Sequence, residues 1–112
     1  MFAKAALLLV TGITYLGAFS RITHGQYTPA FHRYQVDRAP DDASTRFIPL
    51  IDFIIATLLI IPATRTVAAL LFTAFQGFGV ALRVKQQKPL MTDIALAATA
   101  AYVAWSQATG RL

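Results

Sequence analysis

Asp52 is the residue of this sequence that most directly suggests chemistry, because it lies near the start of a dense apolar run. The run reads IDFIIATLLII and covers residues 51–61. An ionised carboxylate at membrane depth is costly, so such a group usually faces a helix-bundle interior, a partner or water. We expect the partner of Asp52 to be Arg46, Arg21 or a histidine of the preceding connection. Asp52 then either belongs to a structural polar cluster or acts as an acid that handles a proton or orients a ligand.

The residues around Asp52 in a folded chain are expected to form a binding cavity. Gln76 lies in the next apolar run and supplies an amide nearer the middle of the membrane. Tyr34 belongs to an aromatic stretch of the long connection before Asp52, and Arg46 stands at the end of that connection. The cavity would open near the basic loops, and its predicted ligand-binding residues are Asp52, Gln76, Tyr34 and Arg46.

Two histidines in the same connection raise the question of acid–base or metal chemistry. An imidazole beside a carboxylate can act as its acid–base partner, so the candidate catalytic residues are Asp52, His24 and His32. The histidines lie eight residues apart across Gly25 and Pro29, a spacing that matches no standard metal-ligand motif. We therefore predict no metal and no cofactor. The sequence also lacks a nucleophile motif, a phosphate-binding loop and a dinucleotide fingerprint.

The composition indicates a membrane protein. Of the 112 residues, 56% are hydrophobic and only 13% are charged, whereas a soluble domain is about 25% charged. Long apolar runs alternate with short charged connections, which is typical of membrane-spanning chains. The net charge of +5 does not indicate nucleic-acid binding, because the basic residues flank apolar runs and suit the membrane surface. The absence of cysteine excludes disulfides, thiolate chemistry and zinc–thiolate sites.

Four apolar runs predict an all-α fold, a four-transmembrane-helix bundle that forms one membrane-embedded domain over residues 1–112. A spanning helix needs about 20 residues, with a range of about 17 to 25. The second run is short and reaches that length only by including Arg46 or the turn at 62–64. The predicted helices cover residues 2–19, 46–62, 65–84 and 90–108.

Two other interpretations of the apolar runs stay open. The first run could be a signal peptide, since Lys4 gives it a basic start and residues 18–20 resemble a small-x-small cleavage site. The runs could also be buried helices of a soluble bundle. Both are disfavoured, because three further apolar segments follow the first and none of the four shows a clean polar stripe.

The connections indicate how the chain would sit in a membrane. The connection over residues 20–45 is too long for a plain turn. Its first half is aromatic and its second half is polar, so we expect it to be partly interfacial. One side of the membrane would hold three basic residues and both termini, and the other would hold seven basic residues in the longer loops. The positive-inside rule then places both termini on the non-cytosolic side.

Rows of small residues predict where the helices approach each other. The third run has Ala69, Thr73, Gly77 and Ala81 at four-residue spacing, and the fourth run has two rows of alanines. We expect these faces of the third and fourth helices to pack together.

Three stretches of the chain can be compared with a known protein family: IDFIIATLLIIPATRTVAALL, KPLMTDIALAATAAYVAW and GAFSRITHG. They resemble the second-to-third helix hairpin, the fourth helix and the end of the first helix of the DoxX-like family of small membrane proteins. Asp52 matches the family's acid, Thr64-Arg65 its turn, and Asp93 the aspartate that enters its fourth helix. The chain departs from the family in its long first connection and in lacking glycine over residues 53–61. The resemblance implies a four-helix bundle and, for some members, a link to quinol oxidation or redox complexes.

These features lead to two main classes of function. The first is a binding protein or an accessory subunit of a membrane complex. Its partners would be the lipid bilayer, a hydrophobic small molecule, and another membrane protein or a second copy of itself, with no nucleic acid. The alternative is a membrane oxidoreductase, isomerase or cyclase that acts on a quinone-, sterol- or terpenoid-like substrate with Asp52 as acid or base. A proton-coupled transporter subunit is a third reading, and it would need to oligomerise to form a path.

Overall fold

The computed structural model describes residues 2–37, 39–88 and 90–112, and within these ranges its regular secondary structure is entirely helical. A short 3₁₀ helix over Ala43–Thr45 precedes the second of the long helices. The predicted all-α class is confirmed for the described residues. Their α-helices are α1 (Phe2–Ile22), α2 (Pro29–Val36), α3 (Phe47–Ile60), α4 (Arg65–Lys85) and α5 (Met91–Ala108).

The long connection contains a helix, α2, that the sequence pattern did not predict. It begins at Pro29, whose fixed φ and missing N–H suit the first turn of a helix. In the polar half of the connection, the Asp42 carboxylate accepts a hydrogen bond from the Ser44 amide at 2.8 Å and caps the 3₁₀ helix. The connection predicted as partly interfacial therefore contains two short helices, one in each half.

Three helical segments of the described chain are long and apolar enough to cross a membrane: Phe2–Ile22, Ala43–Ile60 and Arg65–Lys85. The middle segment reaches 18 residues because the 3₁₀ helix leads into α3. Large apolar side chains cover the outside of these segments; Phe2 is 76% exposed and Phe78 is 68% exposed. The helix α5 also has 18 residues but is not among the three segments. The fourth membrane span therefore stays a prediction.

The core lies where α1, α3, α4 and α5 meet. The helix α1 packs against α3 and α5, and α4 packs against the same two helices, so that these four form a closed helix array. Small side chains dominate the α4 and α5 contributions, which lets those two backbones approach closely. The buried cluster consists of Val10, Ile55, Leu59, Ala68, Ala69, Ala100, Val103 and Ala104.

The small-residue row of α4 packs only in part as expected. Ala69 is fully buried, but Gly77 and Ala81 are exposed, and a Cβ on Gly77 would meet no described atom within 4 Å. The reason is geometric, because each step of four residues advances about 40° around a helix and three steps carry the row about 120° away. Fourteen residues bring the helix back to within about 40° of the starting face, and Arg83, fourteen positions after Ala69, is buried.

A buried ion pair joins α4 to α5 at the end of the array that carries α2. Arg83 Nε lies 3.2 Å from Asp93 Oδ2, and the two side chains are only 5% and 3% exposed. Arg83 also contacts Asp37 just after α2, with Nη1 3.0 Å from Oδ2, and Lys88 Nζ lies 3.4 Å from the other Asp37 oxygen. Asp93, which the sequence placed in the first turn of the fourth helix, therefore pairs with a specific arginine.

The opposite end of the array is held by the turn between α3 and α4. Arg65 donates hydrogen bonds to the carbonyls of Leu59 at 2.8 Å and Ile60 at 2.9 Å, and to Gln107 Oε1 at 3.0 Å. Thr64 occupies the N-cap position of α4, but its hydroxyl makes no cap to that helix and instead donates to the Leu58 carbonyl at 2.8 Å. Both residues thus close the end of α3 and fix the hairpin.

Candidate functional site

A cavity of about 160 Å³ lies between α1, α3, α4 and α5, with α2 forming one of its walls. Three of the four residues predicted to bind a ligand line it: Asp52 of α3, Gln76 of α4 and Tyr34 of α2. Arg46, the fourth, is exposed at the N-cap of α3 and is not among the described residues that line the cavity. Residues separated by more than forty positions in the chain thus share one small space.

Asp52 faces the cavity from the first half of α3. Its carboxylate accepts no hydrogen bond from the described residues, and Arg21, which lines the same cavity, is the charged group that acts on it electrostatically. Gly17 of α1 lies opposite: a Cβ placed there would come within 3.5 Å of Asp52 Oδ2 and 3.2 Å of Gln35 Nε2. The absence of a side chain at Gly17 therefore leaves space beside both polar groups.

Arg21 fastens α2 over the cavity from the last turn of α1. Its guanidinium donates to three carbonyl oxygens at the end of α2 and just beyond it: Pro40 at 3.2 Å, Ala39 at 3.1 Å and Gln35 at 3.4 Å. A cation is well placed at a helix C-terminus, where carbonyl groups lack helical partners. Arg21 is only 6% exposed, and its Nε has no hydrogen-bond partner among the described atoms.

Gln35 supplies a second buried polar group from α2. Its Nε2 donates to the Gly17 carbonyl at 3.0 Å, which fixes the orientation of the amide. Its Oε1 is buried without a hydrogen-bond partner in the described part of the chain, and the residue is only 9% exposed. Gln35, Phe31 and Tyr34 all line the cavity because positions three and four apart share one face of a helix.

Sequence reasoning missed Gln35 and Gly17 as site residues. The available signal was Thr28-Pro29, since proline at a first helical position indicates a helix start. A helix from Pro29 would have placed Phe31, Tyr34 and Gln35 together. No comparable signal marks Gly17, because its role depends on α2 folding back against α1.

The two histidines bind Asp41 and not Asp52. His24 Nδ1 lies 2.9 Å and His32 Nε2 lies 2.8 Å from the same oxygen, Asp41 Oδ2. Hydrogen bonds from His32, and to a smaller extent from His24, hold the pKa of Asp41 below its ordinary value of 3.8. Neither histidine is among the described residues lining the cavity, so this cluster clamps the connection around α2.

The cavity combines apolar and polar walls. Ile13, Phe72 and Leu96 supply apolar surface, while Asp52, Gln35, Arg21 and Gln76 supply polar groups. A cavity of about 150 Å³ is known to admit a benzene ring, so the volume of about 160 Å³ suits one six-membered ring with a polar substituent. Within the described residues, no group of three or more histidine or acidic side chains is arranged to hold a metal ion.

A second, shallower groove runs between α1 and α5. It has a volume of about 440 Å³ and is lined mainly by apolar side chains, among them Phe2, Leu9 and Tyr102. Such a groove on an apolar exterior suits a lipid chain and brings no convergent polar groups together. The cavity beside Asp52 is therefore the better candidate for a specific site.

Comparison with known proteins gives no identification. No protein-family model matches the chain, no curated protein matches it, and no solved structure matches it.

Proposed function

We propose that this chain is a small multi-pass integral membrane protein of DoxX-like type whose cavity binds the polar head of a hydrophobic small molecule. The supporting observation is the convergence of Asp52, Gln76 and Tyr34 on one cavity that also has apolar walls. Concave sites with mostly apolar walls and a few convergent polar groups are the usual form of small-molecule sites.

The exterior of the helix array supports the membrane part of this proposal. Three segments have the length and hydropathy of membrane spans, and large apolar side chains cover their outer surfaces. We propose α5 as the fourth span, because its acid Asp93 is only 2% exposed and is paired with Arg83. A paired and buried carboxylate presents no charge to lipid. Both termini then lie on one face of the membrane, which the distribution of basic residues makes the non-cytosolic face.

The bound molecule can serve the protein alone or a larger membrane complex. The resemblance to the DoxX-like family supports a role as an accessory subunit, with another membrane protein or a second copy of this chain as partner. The groove between α1 and α5 and the exposed Gly77 face of α4 leave apolar surface for lipid or for such a partner.

Native mass spectrometry of the protein purified in mild detergent tests the binding proposal. We expect one small molecule to remain bound to the wild type and to the control variant Asp42→Leu, which changes an exposed carboxylate outside the cavity. Asp52→Leu should lose that molecule, because it removes the hydrogen-bond acceptor while keeping the same number of side-chain heavy atoms. A wild-type protein that carries only bulk lipid, in the same amounts as Asp52→Leu, would contradict the proposal.

A second candidate function is a membrane enzyme that uses Asp52 as acid or base on a quinone-, sterol- or terpenoid-like substrate. It is favoured by the Asp52 carboxylate, which accepts no hydrogen bond from the described residues and so remains available to a substrate proton. Asp52→Asn separates the two functions. An enzyme should still bind the molecule but lose turnover by roughly 10²- to 10⁴-fold, whereas a binding protein has no turnover to lose.

A further inference from the structure

We infer that the molecule held in the cavity presents a neutral hydroxyl group on a single ring, bound between Asp52, Gln35 and Arg21. This inference rests on the proposed binding function and names the chemistry of its ligand. The inference is supported by three groups that line the same cavity: one carboxylate, one guanidinium and one amide oxygen. The cavity has room for one ring.

The charges around the cavity argue against an ionised head group. Asp52 and Arg21 both line it and attract each other electrostatically, so their formal charges offset each other. An anionic head group would be placed against the Asp52 carboxylate, and a cationic one against the Arg21 guanidinium. Enclosing a third charge would also remove it from water, which is costly unless that charge is fully paired.

The unused hydrogen-bonding atoms argue for a group that both donates and accepts. Gln35 Oε1 can only accept and Arg21 Nε can only donate, and both are buried without a partner among the described residues. Asp52 adds a second acceptor. A hydroxyl group donates one hydrogen bond and accepts others, so it can donate to Asp52 or Gln35 while it accepts from Arg21. A buried polar atom left without such a partner destabilises the folded state, so a ligand that pairs with these atoms is favoured.

The size of the cavity limits what can carry this hydroxyl. With about 160 Å³ available, the cavity encloses one ring, and a longer apolar tail must extend outside it. Ile13, Phe72 and Leu96 provide the apolar surface against which the ring would pack. Enlarging Gly17 would reduce this space directly, because the first added carbon already lies 3.2 Å from Gln35 Nε2 and 3.5 Å from Asp52 Oδ2.

Three matched probes test the inference in detergent micelles: hexylcyclohexanol, hexylcyclohexanecarboxylate and hexylcyclohexylammonium, each with the hexyl chain opposite the head group. They share the ring and the tail and differ only in the head group, which is neutral, anionic or cationic. Binding is followed through the side-chain amide NMR signals of Gln35 and Gln76, assigned by single glutamine substitution. We expect saturable binding of the alcohol that is at least about tenfold tighter than binding of either charged probe, the ratio that corresponds to roughly 1.4 kcal/mol.

Two glycine variants distinguish binding in the cavity from binding to the apolar outer surface. Gly17→Leu should abolish the response to the alcohol, whereas Gly12→Leu should keep it, because a Cβ on Gly12 meets no described atom within 4 Å. Asp52→Asn should shift the preference toward the carboxylate probe, since Arg21 then lacks its compensating charge.

The outcomes distinguish this inference from the function on which it rests. If a charged probe binds best and Gly17→Leu abolishes that binding, the cavity is a binding site but the neutral-hydroxyl inference is wrong. If no probe binds saturably, or if Gly17→Leu and Gly12→Leu behave alike, the binding function itself is contradicted.

Discussion

At the scale of single residues, the Arg83–Asp93 pair is the most deeply buried ion pair of the described part of the chain. Both side chains are almost fully buried, and removing two charges from water is repaid only by good geometry and further hydrogen bonds. Arg83 donates one such bond to Asp37, which joins the segment after α2 to the pair. The arginine therefore connects three parts of the chain at the end of the helix array.

Removing Asp93 should destabilise the protein strongly. Asp93→Ala leaves Arg83 buried without its main counter-ion, and breaking a buried pair in this way costs about 3–5 kcal/mol. Thermal unfolding in micelles, followed by circular dichroism, measures the loss. Asp37→Ala is the matched control: it removes the half-exposed partner of the same arginine and should cost clearly less. Equal losses of thermal stability in the two variants would show that the buried Arg83–Asp93 pair contributes no more than the half-exposed Arg83–Asp37 pair.

The carboxylate of Asp41 makes the folding stability of the connection depend on pH. Hydrogen bonds from His32 and His24 lower the pKa of Asp41, so the folded state favours its ionised form. Stability from this group is therefore fully present above the ordinary pKa of 3.8. It is lost as the pH falls through the lower value of the folded state.

Acid titration of unfolding should reveal this contribution. Below pH 3.8, the unfolding midpoint of the wild type should fall more steeply with pH than that of Asp41→Asn, which has no such carboxylate to protonate. Asp42→Asn, which changes the neighbouring exposed acid, should keep the steep wild-type slope. Parallel curves for wild type and Asp41→Asn would refute the assignment.

Three of the residues that line the cavity could be singled out from the sequence, and two others could not, for physical reasons. Asp52 and Gln76 stand out because polar groups in apolar runs need partners, and Tyr34 stands out as an aromatic residue of a long connection. Gln35 lies in a connection outside the apolar runs, where an amide needs no partner, and Gly17 matters only through the residues that lie opposite it. Their roles become visible only when α2 is placed against α1.

At the scale of elements, α2 is the helix that forms one wall of the cavity. It has eight residues, and isolated helices shorter than about 12–15 residues are marginal in water, so it depends on contacts from neighbouring segments. Arg21 holds its C-terminal end, and His32 ties its middle to Asp41. The turn before it uses Gly25 at φ 77°, where a Cβ would also collide with the His32 ring.

Loss of the Arg21 side-chain hydrogen bonds should loosen α2 selectively. In Arg21→Met, amide hydrogen exchange over residues 29–36 should accelerate by at least about tenfold, because hydrogen bonds to charged groups contribute about 1.5–3 kcal/mol each. Exchange in α4 and α5 should stay near wild-type rates. Arg33→Met, which changes an exposed arginine on α2 itself, provides the control. Unchanged exchange in Arg21→Met would show that other contacts alone hold α2.

At the scale of the whole molecule, the chain has an apolar exterior and a polar interior cavity. The helix array has large apolar side chains on its outside, such as Phe78 at 68% exposure, while Asp52 and Gln76 face inward. Hydropathy made the all-helical class and the apolar segments predictable from the sequence. The pairing of α4 with α5 through Arg83 and Asp93 was not predictable, because it depends on which helix faces meet.

Cysteine accessibility in reconstituted liposomes tests the central claim, that a membrane-embedded helix array encloses a polar cavity. The chain has no cysteine, so Gln76→Cys and Phe78→Cys each carry a single thiol on the same helix, one facing the cavity and one facing outward. The measured quantity is the rate at which each thiol reacts with a small cationic methanethiosulfonate. The cysteine thiolate attacks the reagent's sulfur, forms a mixed disulfide and releases a sulfinate, so a thiol that stays protonated in lipid reacts slowly. We predict that Gln76→Cys reacts at least about tenfold faster than Phe78→Cys, since the more exposed position would be the one shielded by lipid. A faster reaction at Phe78→Cys would place that surface in water and contradict the account.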